Sequence, residues 1–198
     1  NGLADQTDLY IFLDAAKEEA DQLLVLEVIE VCEKFNWNGT KKVISLRHEN
    51  HGLAKNIIDG VTRIVNQCGR VIVLEDDLET SEGFLTYMNE ALELYESEKQ
   101  VMHVAGYMFP ISLKSKSDTL FYQVTSCWGW ATWADRWKHL NTDAQYLFDE
   151  LNKREMTYWF DLDGSGMFLH QLEYNISGRF KTWAIKWQAS VNLMDGLT

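Results

Sequence analysis

The sequence predicts an α/β fold, in which strands and helices alternate along the first half of the chain. The chain has 198 residues, of which 46% are hydrophobic, enough for one large domain with a sizeable core. Short runs rich in β-branched residues alternate with longer runs whose apolar residues recur at helical spacing. Because this alternation is typical of parallel sheets, we expect a parallel sheet flanked by helices.

Each element of the first half follows from a local pattern. Acidic residues early in the first helical run suit the positive end of a helix dipole. Ser81 is the predicted N-cap of the third helix, because its hydroxyl can accept a backbone N–H. The predicted strands are residues 8–14, 41–48, 70–77 and 101–109, and the predicted helices are residues 16–35, 52–68 and 81–98.

The second half of the chain has a different character. A polar segment at residues 113–118 ends the alternation, and a strand is predicted at residues 120–126. The run "CWGWATWADRW" follows, and mostly helical, Trp-rich sequence continues from there. We therefore divide one domain into an α/β half, residues 1–110, and a mostly helical half, residues 111–198.

Charge and cysteine content restrict the class of protein. The formal net charge is −12, which argues against nucleic acid or an anionic membrane as the general partner. No run approaches the ~18 apolar residues of a membrane span. The three cysteines, Cys32, Cys68 and Cys127, have no metal-binding or redox spacing. They predict buried free thiols in a reducing compartment, the cytoplasm.

The segment "VIVLEDD" carries the most informative residues. Glu75, Asp76 and Asp77 end a predicted strand, where ligands bind in open α/β sheets. Alternation along the strand would place Glu75 and Asp77 on one side and Asp76 on the other. Their mutual repulsion would be offset by Mn²⁺ or Mg²⁺ bridging a diphosphate. A solvated turn without a ligand is the alternative, and it stays open.

Two further strand ends carry polar residues suited to a nucleotide. Asp14 ends the first predicted strand, where its carboxylate could accept the ring N–H of uracil or cap a helix. His51, Gly52 and Lys55 lie where the second strand meets its helix. Gly permits close backbone approach, and a helix N-terminus favours phosphate. A glycine turn with surface cations is the alternative there.

The tryptophans of "CWGWATWADRW" suggest both a core and a ligand surface. If the chain is helical from residue 131, then Trp130, Trp133 and Trp137 share one face, which is typical of a core. Trp128 and Trp130 flank Gly129, where the backbone can approach a ligand. We expect this pair to stack on a sugar, since the apolar faces of sugars suit aromatic rings.

Four segments in this order resemble a bacterial group of glycosyltransferases with the GT-A fold: "NHGLAKNIIDGV", "VIVLEDDLETSEGFLTYMNEAL", "VAGYMF" and "SCWGWATWADRW". The group is akin to family 2 glycosyltransferases and distantly similar to N-acetylglucosaminyltransferase I and its protein-O-mannose relative. The resemblance implies transfer of a hexosyl or N-acetylhexosaminyl group from a nucleotide-diphosphate sugar to an acceptor hydroxyl, with Mn²⁺ or Mg²⁺. It also implies polysaccharide biosynthesis, with UDP-sugars favoured.

The resemblance also implies roles for individual residues. Asp77 resembles the metal-contacting carboxylate of the family's Asp-x-Asp motif, and Asp14 its nucleobase-binding residue. The first half would hold the donor and the second half would face the acceptor. The rest of the implied donor site consists of His51, Gly52, Lys55, Glu75 and Asp76. The segment implied beneath the donor sugar and acceptor consists of Trp128, Gly129 and Trp130.

The sequence departs from the family pattern in two respects. The family's first strand and its C-terminal part are not present, so we expect the natural protein to continue in both directions. An inverting enzyme needs a general base. The stretch that matches the family's general-base segment is "TWAIKW", residues 182–187, and it contains no carboxylate. Asp161, Asp163 and Glu173 are open substitutes, with ordinary acidic surface positions as the alternative.

Two other functions remain open at this point. A non-catalytic domain that binds nucleotide sugars or carbohydrate is favoured by the missing carboxylate in "TWAIKW". A metal-dependent phosphohydrolase could use the three carboxylates. The sequence shows no second metal cluster for it, and the Trp-Gly-Trp segment would have no role in it.

Overall fold

The protein has an α/β fold of small sheets and helices, seen in a computed structural model that describes residues 3–110 and 118–198. Short 3₁₀ helices occur at Ala4–Gln6 and Glu19–Asp21. The first half contains β1 (Asp8–Leu13), α1 (Gln22–Lys34), β2 (Lys41–Leu46), α2 (Leu53–Cys68), β3 (Arg70–Val73), α3 (Phe84–Leu94) and β4 (Val104–Ala105). The second half contains β5 (Trp130–Trp133), α4 (Ala134–Trp137), α5 (Ala144–Lys153), α6 (Thr157–Phe160), α7 (Phe168–Ile176) and α8 (Ala184–Leu193).

The strands of the described residues form two sheets rather than one. β1 and β2 pair in parallel over their full length, from Asp8 opposite Lys41 to Leu13 opposite Leu46. β5 lies between β3 and β4 and runs antiparallel to both. The predicted parallel pairing is confirmed for β1 and β2, and the expectation of one parallel sheet is wrong. The physical reason is that a strand of the second half, β5, occupies the space between two strands of the first.

Several predicted elements are shorter than their sequence patterns. The strand leading to the carboxylates ends at Val73, so the expected alternation of Glu75 and Asp77 does not apply. The helix predicted from Ser81 begins at Phe84, whose N–H donates to the Ser81 carbonyl oxygen at 3.2 Å. The first helix begins at Gln22 instead of residue 16.

The second half also differs from its predicted elements. Residues 120–126 contain no strand, although Tyr122 and Thr198 exchange two backbone hydrogen bonds of 2.9 Å. The fourth strand keeps only two of the nine predicted residues. The predicted helical character of the second half is confirmed from α4 onward. The polar segment that begins at residue 113 lies outside the described residues as far as residue 117.

Among residues 3–110 and 118–198 the core consists of three clusters, and two of them join the two halves. One is centred on α3 and includes Val104 and Trp133. The second packs α2 against the tryptophans of the second half, and the third lies among α5, α7 and α8. Because strands and core residues cross the boundary at residue 110, the two predicted halves form one packed unit rather than separate layers.

A buried arginine fixes β5 and α4 against the end of α3. The Arg136 guanidinium donates to the carbonyl oxygens of Tyr95 at 2.9 Å and Glu96 at 2.7 Å, and it lies 4.3 Å from the Trp133 ring centroid. It also forms an ion pair of 2.7 Å with Asp135. Arg suits this position because its planar group donates several hydrogen bonds at once. These contacts set the end of β5 and the start of α4 against the end of α3.

The layer around β1, β2 and α1 is less covered than the rest of the molecule. No residue of α1 is buried, and its apolar side chains are largely exposed. In the described part of the chain, β1 pairs only with β2, and β3 pairs only with β5. No helix of the described residues has the length and apolar character needed to cross a bilayer.

The cysteines form no disulfide, as predicted, but not all of them are buried. Cys68 is exposed at the end of α2, and Cys32 and Cys127 are partly buried. The expectation of buried thiols is therefore wrong for Cys68 and only partly met for Cys32 and Cys127. The reason is that the last turn of α2 leaves the core, although its apolar spacing continues.

Candidate functional site

The three carboxylates form a turn directly after β3. Glu75 is partly buried, whereas Asp76 and Asp77 are exposed in the turn itself. Burial raises the pKa of Glu75, and the negative charges of Asp77 and Asp76 raise it further. Each of these effects disfavours the ionised form. The turn therefore concentrates negative charge that a cation would stabilise.

The register of β3 and β5 places a second predicted segment beside this turn. Val73 pairs with Trp130, so the residues after β3 lie next to those before β5. A Cβ placed on Gly129 would be 3.3 Å from Cδ2 of Leu74. Burial raises the pKa of the Cys127 thiol, and the charges of Glu75 and Asp77 raise it further. The carboxylate turn and the Trp-Gly-Trp segment thus form one site.

The end of β4 forms the third part of this site. The Gly106 N–H donates to the Gly129 carbonyl oxygen at 2.7 Å. The Phe84 ring lies against both glycines, since a Cβ would be 2.6 Å from it at Gly106 and 2.9 Å from it at Gly129. Gly129 also has a φ of +73°, which favours glycine. Phe84, the first residue of α3, therefore packs against the two loops that carry Gly106 and Gly129.

A group of aromatic side chains stands on these loops. The rings of Tyr107 and Trp128 have centroids 4.5 Å apart at 66°, and those of Tyr107 and Phe109 are 5.4 Å apart at 79°. Trp128 is 50% exposed and Phe109 is 54% exposed, large fractions for aromatic residues. The sequence prediction found Trp128 but missed Tyr107 and Phe109. Their i, i+2 spacing in "GYMF" was the available signal, because it places both on one side of an extended chain.

Trp130 occupies a different environment from the one expected. It is 0% exposed, and its ring stacks on those of His103 at 5.2 Å and Trp183 at 5.0 Å. Both faces of the Trp130 ring are covered, so neither is open to a sugar. Of the predicted pair, only Trp128 has an exposed ring in this structure. Trp130 and Trp133 lie in a strand instead of a helix, and they enter different core clusters. The expected shared helical face is therefore wrong, and the core role is confirmed.

Asp14 lies just beyond β1 and accepts hydrogen bonds at the start of α2. Its carboxylate accepts the backbone N–H groups of His51 at 2.9 Å, Gly52 at 2.7 Å and Ala15 at 3.0 Å. His51 and Gly52 precede α2, and the N-cap of α1 is Asp21. The helix-capping alternative is therefore wrong for Asp14, which instead holds the turn before α2. An ionised carboxylate has about four acceptor positions. Three are used here, which leaves one for a ligand N–H.

The cations predicted at this junction have protein partners. Lys55 forms an ion pair of 2.8 Å with Asp59, which also pairs with Arg47 at 2.8 Å. These cations lower the pKa of Asp59 against the opposing effect of burial, the largest single influence on it. The His51 ring donates through Nε2 to the Glu49 carboxylate at 3.2 Å. The side-chain contacts of Asp14 and Lys55 therefore stay within this junction and do not reach the carboxylate turn.

The three candidate general bases occupy different environments. Asp161 is buried and accepts the N–H groups of Phe168 at 2.7 Å and Leu169 at 3.1 Å, which caps α7. Asp163 is exposed, with a φ of +55°. Glu173 is exposed and pairs with His170 at 2.9 Å. The choice of a base among them remains a prediction, and Asp161 already has a structural role.

The carboxylate turn presents the exposed carboxylates of Asp76 and Asp77 to solvent. Within residues 3–110 and 118–198, no three His, Cys, Asp or Glu side chains form a ready-made metal site. A Mg²⁺ or Mn²⁺ ion bound with a diphosphate needs only one or two protein carboxylates. Burial and the neighbouring charges of Asp77 and Asp76 raise the pKa of Glu75, and a bound cation would offset the part that comes from repulsion.

No protein family, curated protein or solved structure matches this chain.

Proposed function

We propose that this protein is a glycosyltransferase that moves a sugar from a nucleotide-diphosphate donor to an acceptor hydroxyl, with inversion. The observation that carries the proposal is the register of β3 and β5, which joins a turn of three carboxylates to an exposed tryptophan. Carboxylates suit a cation and a diphosphate, and an aromatic ring suits a sugar. A glycosyl donor contains both chemical parts in one molecule.

The residues of the turn have separable roles in this proposal. Asp77 would hold Mn²⁺ or Mg²⁺, and Glu75 and Asp76 would position the ribose and donor sugar. The bound ion supplies Lewis-acid stabilisation of the departing diphosphate. Asp14 accepts an N–H of the nucleobase with its remaining acceptor position, which favours a UDP-sugar. His51, Gly52 and Lys55 line the nucleotide pocket at the start of α2.

The GT-A arrangement is part of the proposal. The first strand of the GT-A fold would lie between β1 and β3. Among the described strands, β1 and β3 each have one unpaired side. Gly129 lets the backbone approach the donor sugar, and the Trp-rich half faces the acceptor. The acceptor is a carbohydrate of bacterial polysaccharide biosynthesis in the cytoplasm.

A non-catalytic sugar-binding domain is the second candidate function. Two observations favour it: Asp161 is already committed to capping α7, and the "TWAIKW" segment contributes the buried Trp183 and Trp187 to the core. In that case the protein binds the donor without turnover. Release of nucleoside diphosphate in the presence of Mn²⁺, with or without an acceptor, distinguishes the enzyme from the binding domain.

The decisive experiment is a thermal-shift panel of UDP-, GDP-, CMP- and dTDP-sugars with and without Mn²⁺. It is run on this chain and on a chain extended at its N-terminus. We expect a Mn²⁺-dependent rise in Tm with UDP-sugars. Asp77→Asn abolishes it, whereas Glu93→Gln, an equal charge change at an exposed position of α3, preserves it. The absence of a shift with every donor on both chains contradicts the proposal.

A further inference from the structure

The aromatic group beside the carboxylate turn has the properties of a built binding surface. We define the platform as Tyr107, Phe109 and Trp128. Its rings contact one another edge to face, with Phe109 and Trp128 also 6.5 Å apart. Large exposed aromatic rings are costly in water unless a partner covers them. Here two exposed rings, Phe109 and Trp128, and the partly exposed Tyr107 ring are gathered at one place in a protein of net charge −12.

The platform is held in position by the backbone beneath it. Tyr107 follows Gly106 and Trp128 precedes Gly129, and these glycines are joined by a hydrogen bond of 2.7 Å. The Phe84 ring lies against both, so the loops that carry the aromatic rings rest on the core. A preformed surface of this kind binds a ligand with little loss of conformational freedom.

The charges around the platform define the ligand that it fits. Glu75 and Asp77 are near enough to raise the pKa of Cys127, the residue before Trp128. Carboxylates accept hydrogen bonds from hydroxyl groups and repel anions. A ligand with apolar C–H faces, many hydroxyl groups and no negative charge matches both features. That ligand is a neutral oligosaccharide.

We propose that Tyr107, Phe109 and Trp128 form a platform that binds a neutral oligosaccharide, with its hydroxyl groups toward the carboxylate turn. Describing this sugar as the acceptor rests on the proposed glycosyltransferase function. The binding of the sugar itself does not depend on that function. Tyr107 and Phe109 thereby become specificity-determining residues.

The test uses neutral tetrasaccharides as probes: cellotetraose, chitotetraose and maltotetraose. Saturation-transfer NMR detects the bound sugar protons, and chemical-shift titration gives the Kd. We expect at least one probe to bind with a Kd of about 1 mM, a value typical of weak complexes. Tetragalacturonate, which carries carboxylates, binds more weakly because the turn repels it.

Substitutions of platform residues show where the tetrasaccharide binds. Trp128→Ala and Phe109→Ala each weaken it by about tenfold, the value of one lost aromatic contact. Phe109→Leu keeps an apolar side chain and also loses most of the affinity. Phe180→Ala is the matched control, because Phe180 is 49% exposed and contacts Tyr174 edge to face at 5.2 Å. It leaves the Kd unchanged.

The outcomes separate this inference from the proposed function. If platform variants lose the tetrasaccharide but keep the Mn²⁺-dependent donor shift, the platform is established as a separate sugar site. If they lose the tetrasaccharide and wild type shows no donor shift, the platform stands and the transferase proposal fails. Equal binding by all variants, or no binding of any probe at ~10 mM, ten times a 1 mM Kd, overturns the platform.

Discussion

The indole N–H of Trp187 donates to Nδ1 of His103 at 3.1 Å, in a fully buried contact between residues 84 positions apart. Because Nδ1 accepts, the other ring nitrogen carries the proton and donates to the Ser126 carbonyl oxygen at 3.0 Å. Both nitrogens of the neutral ring are thereby satisfied, and a second proton would point at the Trp187 N–H. This contact connects α8 to the residue just before β4, the strand that leads to the aromatic platform.

We predict that His103 makes the protein less stable in mild acid. Burial lowers its pKa from 6.5 to about 3, so below pH 6.5 only the unfolded state takes up the proton. The contribution of His103 to the free energy of unfolding is fully present above pH 6.5. It is lost as the pH falls from 6.5 toward 3, by about 1.4 kcal/mol per pH unit. Urea unfolding between pH 6.5 and pH 5 measures this slope. His103→Gln should show a shallower slope, and an unchanged slope would contradict the assignment.

We predict that Gly129→Ala destabilises the protein more than Gly178→Ala. Both glycines have nearly the same φ, +73° and +75°, so both variants carry a similar backbone strain of about 1–2 kcal/mol. Only at Gly129 would the new Cβ contact the Phe84 ring, whereas no atom lies within 4 Å at Gly178. The contact should add about 1–3 kcal/mol to the loss in unfolding free energy. Equal losses would show that Phe84 does not support this loop.

We predict that Asp14→Ala lowers the unfolding free energy by about 2 kcal/mol, because the backbone N–H groups of His51 and Gly52, just before α2, lose their acceptor. Asp14→Asn retains one oxygen and should lose about half as much. Asp8→Ala, at the exposed opposite end of β1, is the charge-matched control and should be nearly neutral. If Asp14→Ala is as stable as Asp8→Ala, Asp14 does not support the turn before α2.

We predict that Trp130→Ala lowers the free energy of unfolding much more than Trp128→Ala does. Trp130 is enclosed by aromatic rings, so its truncation should cost about 3–5 kcal/mol of unfolding free energy. Trp128 is half exposed, and its truncation should cost less than about 1 kcal/mol. Chemical denaturation measures both values. A stable Trp130→Ala variant would remove the distinction between core and ligand surface at this segment.

We predict that removing the Asp77 charge increases the reactivity of Cys127. Burial, Glu75 and Asp77 all raise the pKa of this thiol, and only the thiolate reacts with iodoacetamide. Asp77→Asn should therefore accelerate alkylation of Cys127 at pH 8, measured by peptide mass spectrometry. Exposed Cys68 in the same molecule is the internal control and should react at an unchanged rate. Equal acceleration of both cysteines would indicate general loosening instead.

The sequence alone determined the elements whose signals are local. Apolar spacing located α2 to within one residue, and β-branched runs located the starts of β1 and β2. The position of the carboxylates after a buried strand was also readable, because an apolar run cannot continue into three adjacent charges without leaving the core. Local backbone preference and burial favour the same structure at these places, so the sequence pattern is sufficient to locate the element.

The tertiary structure alone decided which residues meet. "WATW" fits a buried helix as well as a buried strand, and only pairing with β3 and β4 makes it β5. That pairing buries Trp130, leaves Trp128 exposed and places Tyr107 and Phe109 beside it. Backbone hydrogen bonds between strands depend on partners distant in the chain. Side-chain periodicity therefore cannot specify them, and the candidate site exists only after the sheet has formed.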